Sequence, residues 1–237
     1  MKHPHAFRGL LLLLALSAAA APSAAPAFEN EQLHYNINWP SGLSLGEAQL
    51  TVSSGKAGED LPPRLRFSFD IDAGIPGFSV TDRYHSEATS DFCSTEFNDS
   101  VKHGAKTAGE KLIFDSHAAT VTRETAGSGK SEIPASACAR DALTFLYYTR
   151  HELSQGRIPP PQTVFLGPQY QVRLEFAGTQ SVQIADKTVQ ADRFTASVQG
   201  PKSNISFEIF FLKDRARTPA LVRVPLALGT FSMELAQ

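Results

Sequence analysis

The chain has 237 residues, 42% of them hydrophobic and 19% charged, with a formal net charge of −2. That apolar content excludes a disordered chain, and the modest charge excludes a coiled coil. The lack of a basic surplus argues against nucleic acid as a partner.

Residues 1–27 read as a secretory signal peptide. Lys2 and Arg8 flank the start of the apolar run GLLLLLALSAAAA, and APSAAPA places small residues at Ala25 and Ala27, so cleavage is expected before Phe28. The run is about 13 residues, short of the ~20 that a bilayer span needs. No cysteine stands near the cut to accept a lipid, and no later stretch is long and apolar enough to span. Residues 28–237 then form a single β-rich domain, mildly acidic once Lys2 and Arg8 are gone, with a Pro-rich joint at Ile158–Pro161.

Along the domain, apolar side chains alternate with polar ones. Leu33, Tyr35, Ile37 and Trp39 share one face; Leu65, Phe67, Phe69 and Ile71 repeat the pattern, as do Tyr170, Val172, Leu174 and Phe176. Such alternation predicts antiparallel strands with one wet face. Parity shifts between Leu43/Leu45 and Ala48/Leu50/Val52, with Gly46 at the change, and again between Val189/Ala191 and Phe194/Ala196/Val198. Both shifts predict β-bulges, which bend a sheet.

The segment ARDALTFLYYTRHELSQG departs from this rhythm. Ala139, Ala142, Leu143, Leu146, Tyr147, Arg150 and Leu153 recur at helical spacing, predicting an amphipathic helix of some 16 residues. Ser136 is the expected N-cap, with Asp141 in the first turn and Gly156 as the stop. In NISFEIFFLKD, both faces are apolar, as in a strand covered on both sides. Val222–Leu228 and Phe231–Leu235 suggest a terminal hairpin. The expected architecture is mainly β: a strongly curved antiparallel sheet, half-barrel or open barrel, of about a dozen strands in up-and-down order with one covering α-helix.

Cys93 and Cys138 are the only cysteines. Export and an even count favour one disulfide, which by closing a loop of about 45 residues would stabilise the fold by roughly 3–4 kcal/mol; two buried free thiols are the alternative.

These pieces together resemble a family. The opening YNINWPSGLSLGEAQL, then TDRYHSEATSDF, LIFDSHAATVT, the helix opener CARDALTFLYYTR with its following glycine, FFLKDRARTPALVRV and the final GTFSMEL look like the bacterial exported domain-of-unknown-function family 3108. The resemblance spans nearly all of the expected mature chain. It implies a mainly β periplasmic protein of a Gram-negative-type envelope, and no activity.

No motif carries chemistry by itself. The histidines lack H-x-x-x-H or H-E-x-x-H spacing, so a metal site would have to be assembled across strands from Asp82, His85, His103 and His117. These residues equally suit the wet face of a sheet, and no metal or cofactor is expected. There is no G-x-S-x-G elbow and no phosphate loop, and Asp70 and Asp72 fit a solvated strand face better than a catalytic pair. Asp82 shares parity with Val80, Tyr84 and Ala88, so it is expected to point inward with a structural partner, Arg150 foremost, or Arg193 or Arg223. A polar anchor within a ligand cavity is the other reading.

The chain is therefore expected to be non-catalytic. A curved sheet can enclose apolar volume, with Tyr35, Ile37, Trp39, Phe67, Phe69, Tyr84, Phe207 and Phe211 as expected walls for a lipid or other hydrophobic ligand. An envelope interaction or scaffold module with a packed interior is the alternative, and a hydrolase with a site assembled across strands is the lesser one.

Overall fold

The computed structural model describes residues 28, 30–55, 63–201, 203–227 and 229–236, so the leader assigned to 1–27 lies outside the described residues. The first eight strands are β1 (Gln32–Asn38), β2 (Ser44–Ser54), β3 (Arg64–Ile75), β4 (Phe78–Thr89), β5 (Ser94–His103), β6 (Lys106–Asp115), β7 (Thr120–Thr125) and β8 (Gly129–Pro134). A two-residue strand β9 (Arg140–Asp141) leads into the helix α1 (Ala142–Ser154). The chain continues through β10 (Gln162–Phe165), β11 (Gln169–Ile184), β12 (Lys187–Gln199), β13 (Asn204–Leu212), β14 (Pro219–Leu226) and β15 (Gly229–Leu235).

All fifteen strands join one sheet in the order β8-β7-β6-β5-β4-β3-β2-β1-β15-β14-β13-β12-β11-β10-β9. Neighbours are antiparallel except β9 and β10, which run parallel. The expected meander and terminal hairpin are therefore present, and β1 pairs with β15 to join the two ends of the chain.

The sheet is strongly curved but does not close into a barrel. Between β1 and β2 the register slips from Ile37↔Gly46 to Asn38↔Ser44, leaving Leu45 as the extra residue, where the parity shift predicted a bulge. A Cβ at Gly46 would lie 2.1 Å from the Asp72 carbonyl oxygen on β3, so the bend requires glycine. The second expected bulge is displaced. β12 pairs continuously with β13, and the irregularity falls in β11 between Phe176 and Thr179. The parity change in β12 instead records cover on both faces. Phe194 packs with Phe211 and Ile209 on one side, while Val189 and Ala191 pack with Phe210, Val182 and Leu221 on the other.

Curling brings the sheet's extremities together. Phe165 on β10 meets Phe114 on β6 edge-to-face at 5.6 Å, and Gln169 donates to the Pro134 carbonyl at 2.9 Å. The Ser94 amide donates to Ala139 O at 2.9 Å, beside the Cys93–Cys138 disulfide, whose Cα atoms are 4.7 Å apart. The bridge thus staples the β4–β5 turn to the segment that opens the helix.

The helix is shorter than its periodicity suggested, and its cap differs. Asp141, not Ser136, is the N-cap: its Oδ1 accepts from the Leu143 and Thr144 amides at 2.9 and 3.0 Å. Its Oδ2 accepts from the hydroxyls of Ser86, Ser94 and Thr144. Burial pushes this carboxyl upward against the pull of those donors. Nor does the helix simply lie over the sheet. No residue from Ala142 to Leu153 is fully exposed, and Phe145, Tyr147 and Arg150 are all buried, because the curled sheet surrounds it.

Candidate functional site

On the β1–β4 side, the helix fills the concavity. Tyr147 stacks on Phe67 with ring centroids 4.3 Å apart, and Leu143 joins the cluster of Tyr35, Leu50 and Val52. On the β10–β15 side, side chains leave a cavity of about 480 Å³ between helix and sheet. Leu143, Phe145, Leu146 and Thr149 line it from the helix. Tyr170, Val172 and Leu174, then Ala196 and Val198, then Ile205, Phe207, Ile209 and Phe211 line it from β11, β12 and β13. Val222, Met233, Tyr35, Phe69, Ile71, Tyr84 and Phe97 complete the wall. Strand alternation explains the lining, since each strand contributes residues two apart from its concave face.

Five of the eight expected wall residues line this cavity: Tyr35, Phe69, Tyr84, Phe207 and Phe211. The other three lie elsewhere. Phe67 is covered by Tyr147, and Ile37 packs against the main core. Trp39 falls beyond the end of β1, where its ring meets Phe231 edge-on at 4.9 Å. The helix and β10–β11 contributions were not anticipated as walls. The periodicities of the helix and β11 were visible, but nothing in them shows which apolar stripe faces a filled space and which a void.

The cavity is closed at one end and open at the other. Tyr35, Phe97, Thr149 and Phe211 at the inner end are buried, whereas Leu166 and Ser203, in the β10–β11 and β12–β13 turns, are exposed. Two polar points bracket it. At the inner end the Tyr35 hydroxyl donates to the Pro219 carbonyl at 2.9 Å, and burial holds that phenol well above its usual range. Beside it, the buried Thr149 hydroxyl has no hydrogen-bond partner among the described residues.

Toward the mouth, the Tyr84 hydroxyl donates to Asp82 at 3.4 Å; burial, then Asp82 and Asp99, keep that phenol protonated well above its usual range. Asp82 is buried, as its parity predicted, but its partner is not arginine. His103 Nε2 lies 2.9 and 3.1 Å from its two oxygens. Arg193 instead pairs with Glu208, which also lies 3.9 Å from Arg223. Asp82 does not itself line the cavity; it reaches it through Tyr84.

Arg150 pairs elsewhere as well. Its guanidinium is fully buried and binds Glu31 through two nitrogens at 2.6 and 2.8 Å, while Nε donates to Ala216 O at 3.0 Å. The rings of Phe28 and Tyr147 lie 4.9 Å from its Cζ. The residue thus ties the N-terminal segment and the β13–β14 loop to the helix, next to Thr149 at the inner end of the cavity. Residues 28–31 precede the first alternating strand, so periodicity could not reveal this partner.

The conceivable metal set is dispersed. Only Asp82 and His103 meet; exposed His85 lies on the opposite face of β4, and His117 is in the β6–β7 turn at the other end of the sheet. Among the described residues, no three His, Cys, Asp or Glu side chains converge as metal ligands. Asp70 and Asp72 share Arg83 as an ion-pair partner on a strand face. Among the described residues no helix is long and apolar enough to cross a membrane.

No curated protein matches the chain. Among solved structures, the fold is similar to the crystal structure of a β-barrel-like protein of domain of unknown function DUF1849 from Brucella abortus. The TM-score is 0.59 over 86% of this chain and 94% of that one, at 12% identity, a likeness of fold alone. The family model of DUF3108, a protein family of unknown function, matches residues 32–236, and the chain belongs to that family.

Proposed function

We propose that this is a non-catalytic exported protein of the periplasm that binds one hydrophobic ligand, with an acyl-type tail, between helix and sheet. The observation that carries the reading is the cavity of about 480 Å³. It falls within the ~300–1,000 Å³ of small-molecule sites, and its walls are apolar with a few placed polar groups. Each methylene transferred from water into such a space contributes about 0.8 kcal/mol. The tail extends toward Thr149, and a polar head lies near Tyr84 at the mouth. The disulfide accords with an oxidising compartment. A scaffold using its sheet edge is less favoured, because the outer strand β8 carries Lys130, Glu132 and Pro134, residues that discourage strand addition.

The test is titration of the purified protein with a fluorescent long-chain fatty acid, alongside mass spectrometry of an organic extract. Saturable one-to-one binding is expected. Ala196→Phe, which projects a ring from β12 into the cavity, should weaken it at least about tenfold, or roughly 1.4 kcal/mol. Absence of saturable binding by the unaltered protein would overturn the reading.

A further inference from the structure

Antiparallel pairing, with β1 against β15, brings the β1–β2, β3–β4, β5–β6, β7–β8, β10–β11, β12–β13 and β14–β15 turns to one end of the sheet, the mouth end of the cavity. Among the described residues, five of the eight large hydrophobic side chains that are exposed sit on these turns or at their strand ends: Leu43, Ile75, Phe78, Leu166 and Leu226. Leu43 is the most exposed of all, at 65%. Trp39 is half-buried beside them. The tips are contiguous. The β3–β4, β1–β2 and β14–β15 turns are neighbours in the sheet, Trp39 touches Phe231, and Pro40 crowds Gly229.

The turns at this end contain no Asp or Glu, and the β5–β6 turn is flanked by exposed Lys102 and Lys106. At the opposite end, the turns and the strand ends beside them carry both signs, Asp91, Asp115, Asp186 and Asp214 together with Arg64, Lys187, Lys213, Arg215 and Arg217.

Single exposed apolar residues need no explanation, but a ring of them around a cavity mouth does. Apolar turn tips ringing a cavity mouth, with an indole at the boundary, no acidic residue in the turns and exposed lysines beside them, match the layered, anionic interface of a bilayer. We propose that this end of the protein docks on a lipid bilayer surface containing anionic phospholipid. The apolar tips enter the interfacial layer, and the cavity mouth faces the membrane. The proposal builds on the ligand-cavity reading but rests on different residues, so the two can fail separately.

The test is flotation with phosphatidylethanolamine–phosphatidylglycerol vesicles. The unaltered protein should float. The triple variant Leu43→Ser, Phe78→Ser, Leu226→Ser should lose roughly tenfold or more in partitioning while keeping its affinity for the soluble fatty-acid probe. Lys102→Ser with Lys106→Ser should weaken flotation only on vesicles that contain phosphatidylglycerol. Ala196→Phe should float normally while losing the probe, so failure of the cavity would not mask docking. An unaltered protein that stays in solution, or a triple variant that floats as well as it, overturns the proposal. So does a dimer seen by sedimentation that the triple substitution dissolves without any vesicle binding.

Discussion

Replacing Arg150 by methionine tests how the helix is held at the inner end of the cavity. Methionine keeps the unbranched apolar stem and removes the guanidinium. Glu31, only 15% exposed in its side chain, is then left without its cation, and the Ala216 carbonyl loses a donor. An exposed pair of this kind would contribute about 0–1 kcal/mol. Here the arginine side chain is 0% exposed, and removing one partner of a buried pair costs about 3–5 kcal/mol. In a domain of this size each kcal/mol moves the melting temperature by roughly 2–4 °C, so a fall of about 6–20 °C is expected.

Urea and thermal unfolding followed by circular dichroism would measure it, with Glu31→Gln and the double variant completing a cycle. The double variant should be more stable than Arg150→Met alone, because no uncompensated carboxylate remains. A loss below about 1 kcal/mol, or strict additivity of the two substitutions, would refute the assignment of a buried, coupled pair.

Three further outcomes are expected. Cys93→Ser with Cys138→Ser should lower stability by about 4 kcal/mol, the chain-entropy value for a separation of 45 residues, and a comparison of urea midpoints checks it. Gly46→Ala should lose roughly 1–3 kcal/mol, because its φ is +153° and the added Cβ meets Asp72 O; an unchanged melting temperature would contradict the close approach. Glu152 is held below the usual carboxylate range by its hydrogen bonds from Arg157. The folded state therefore binds that proton more weakly than the unfolded chain does, so the stabilisation is present at neutral pH and is lost as pH falls through the carboxylate range. Glu152→Gln should make the difference between urea midpoints at about pH 7 and about pH 3 smaller.

Much of the architecture was legible because strand and helix periodicities are local. The alternation in β1, β3 and β11, the Gly46 bulge, the terminal hairpin and the one helical stretch each follow from spacing within a dozen residues. Asp82 could be read as inward-facing for the same reason, from its parity with Val80 and Tyr84. Its partner could not. His103 reaches it only because β4 and β5 pair with Val80 opposite His103, a register decided by pairing along the whole ladder.

The sequence alone determined the one helical stretch, the meandering β character and the inward faces; that the only two cysteines come within bridging distance was decided by the tertiary structure. Tertiary structure alone decided that Phe67 is consumed by Tyr147 while Phe207 and Phe211 border a cavity, and that Arg150 meets Glu31 across more than a hundred residues. The reason is physical. Apolar periodicity specifies which face turns away from water, but how completely that face is filled depends on the curvature of the sheet and the depth at which the helix lies within it.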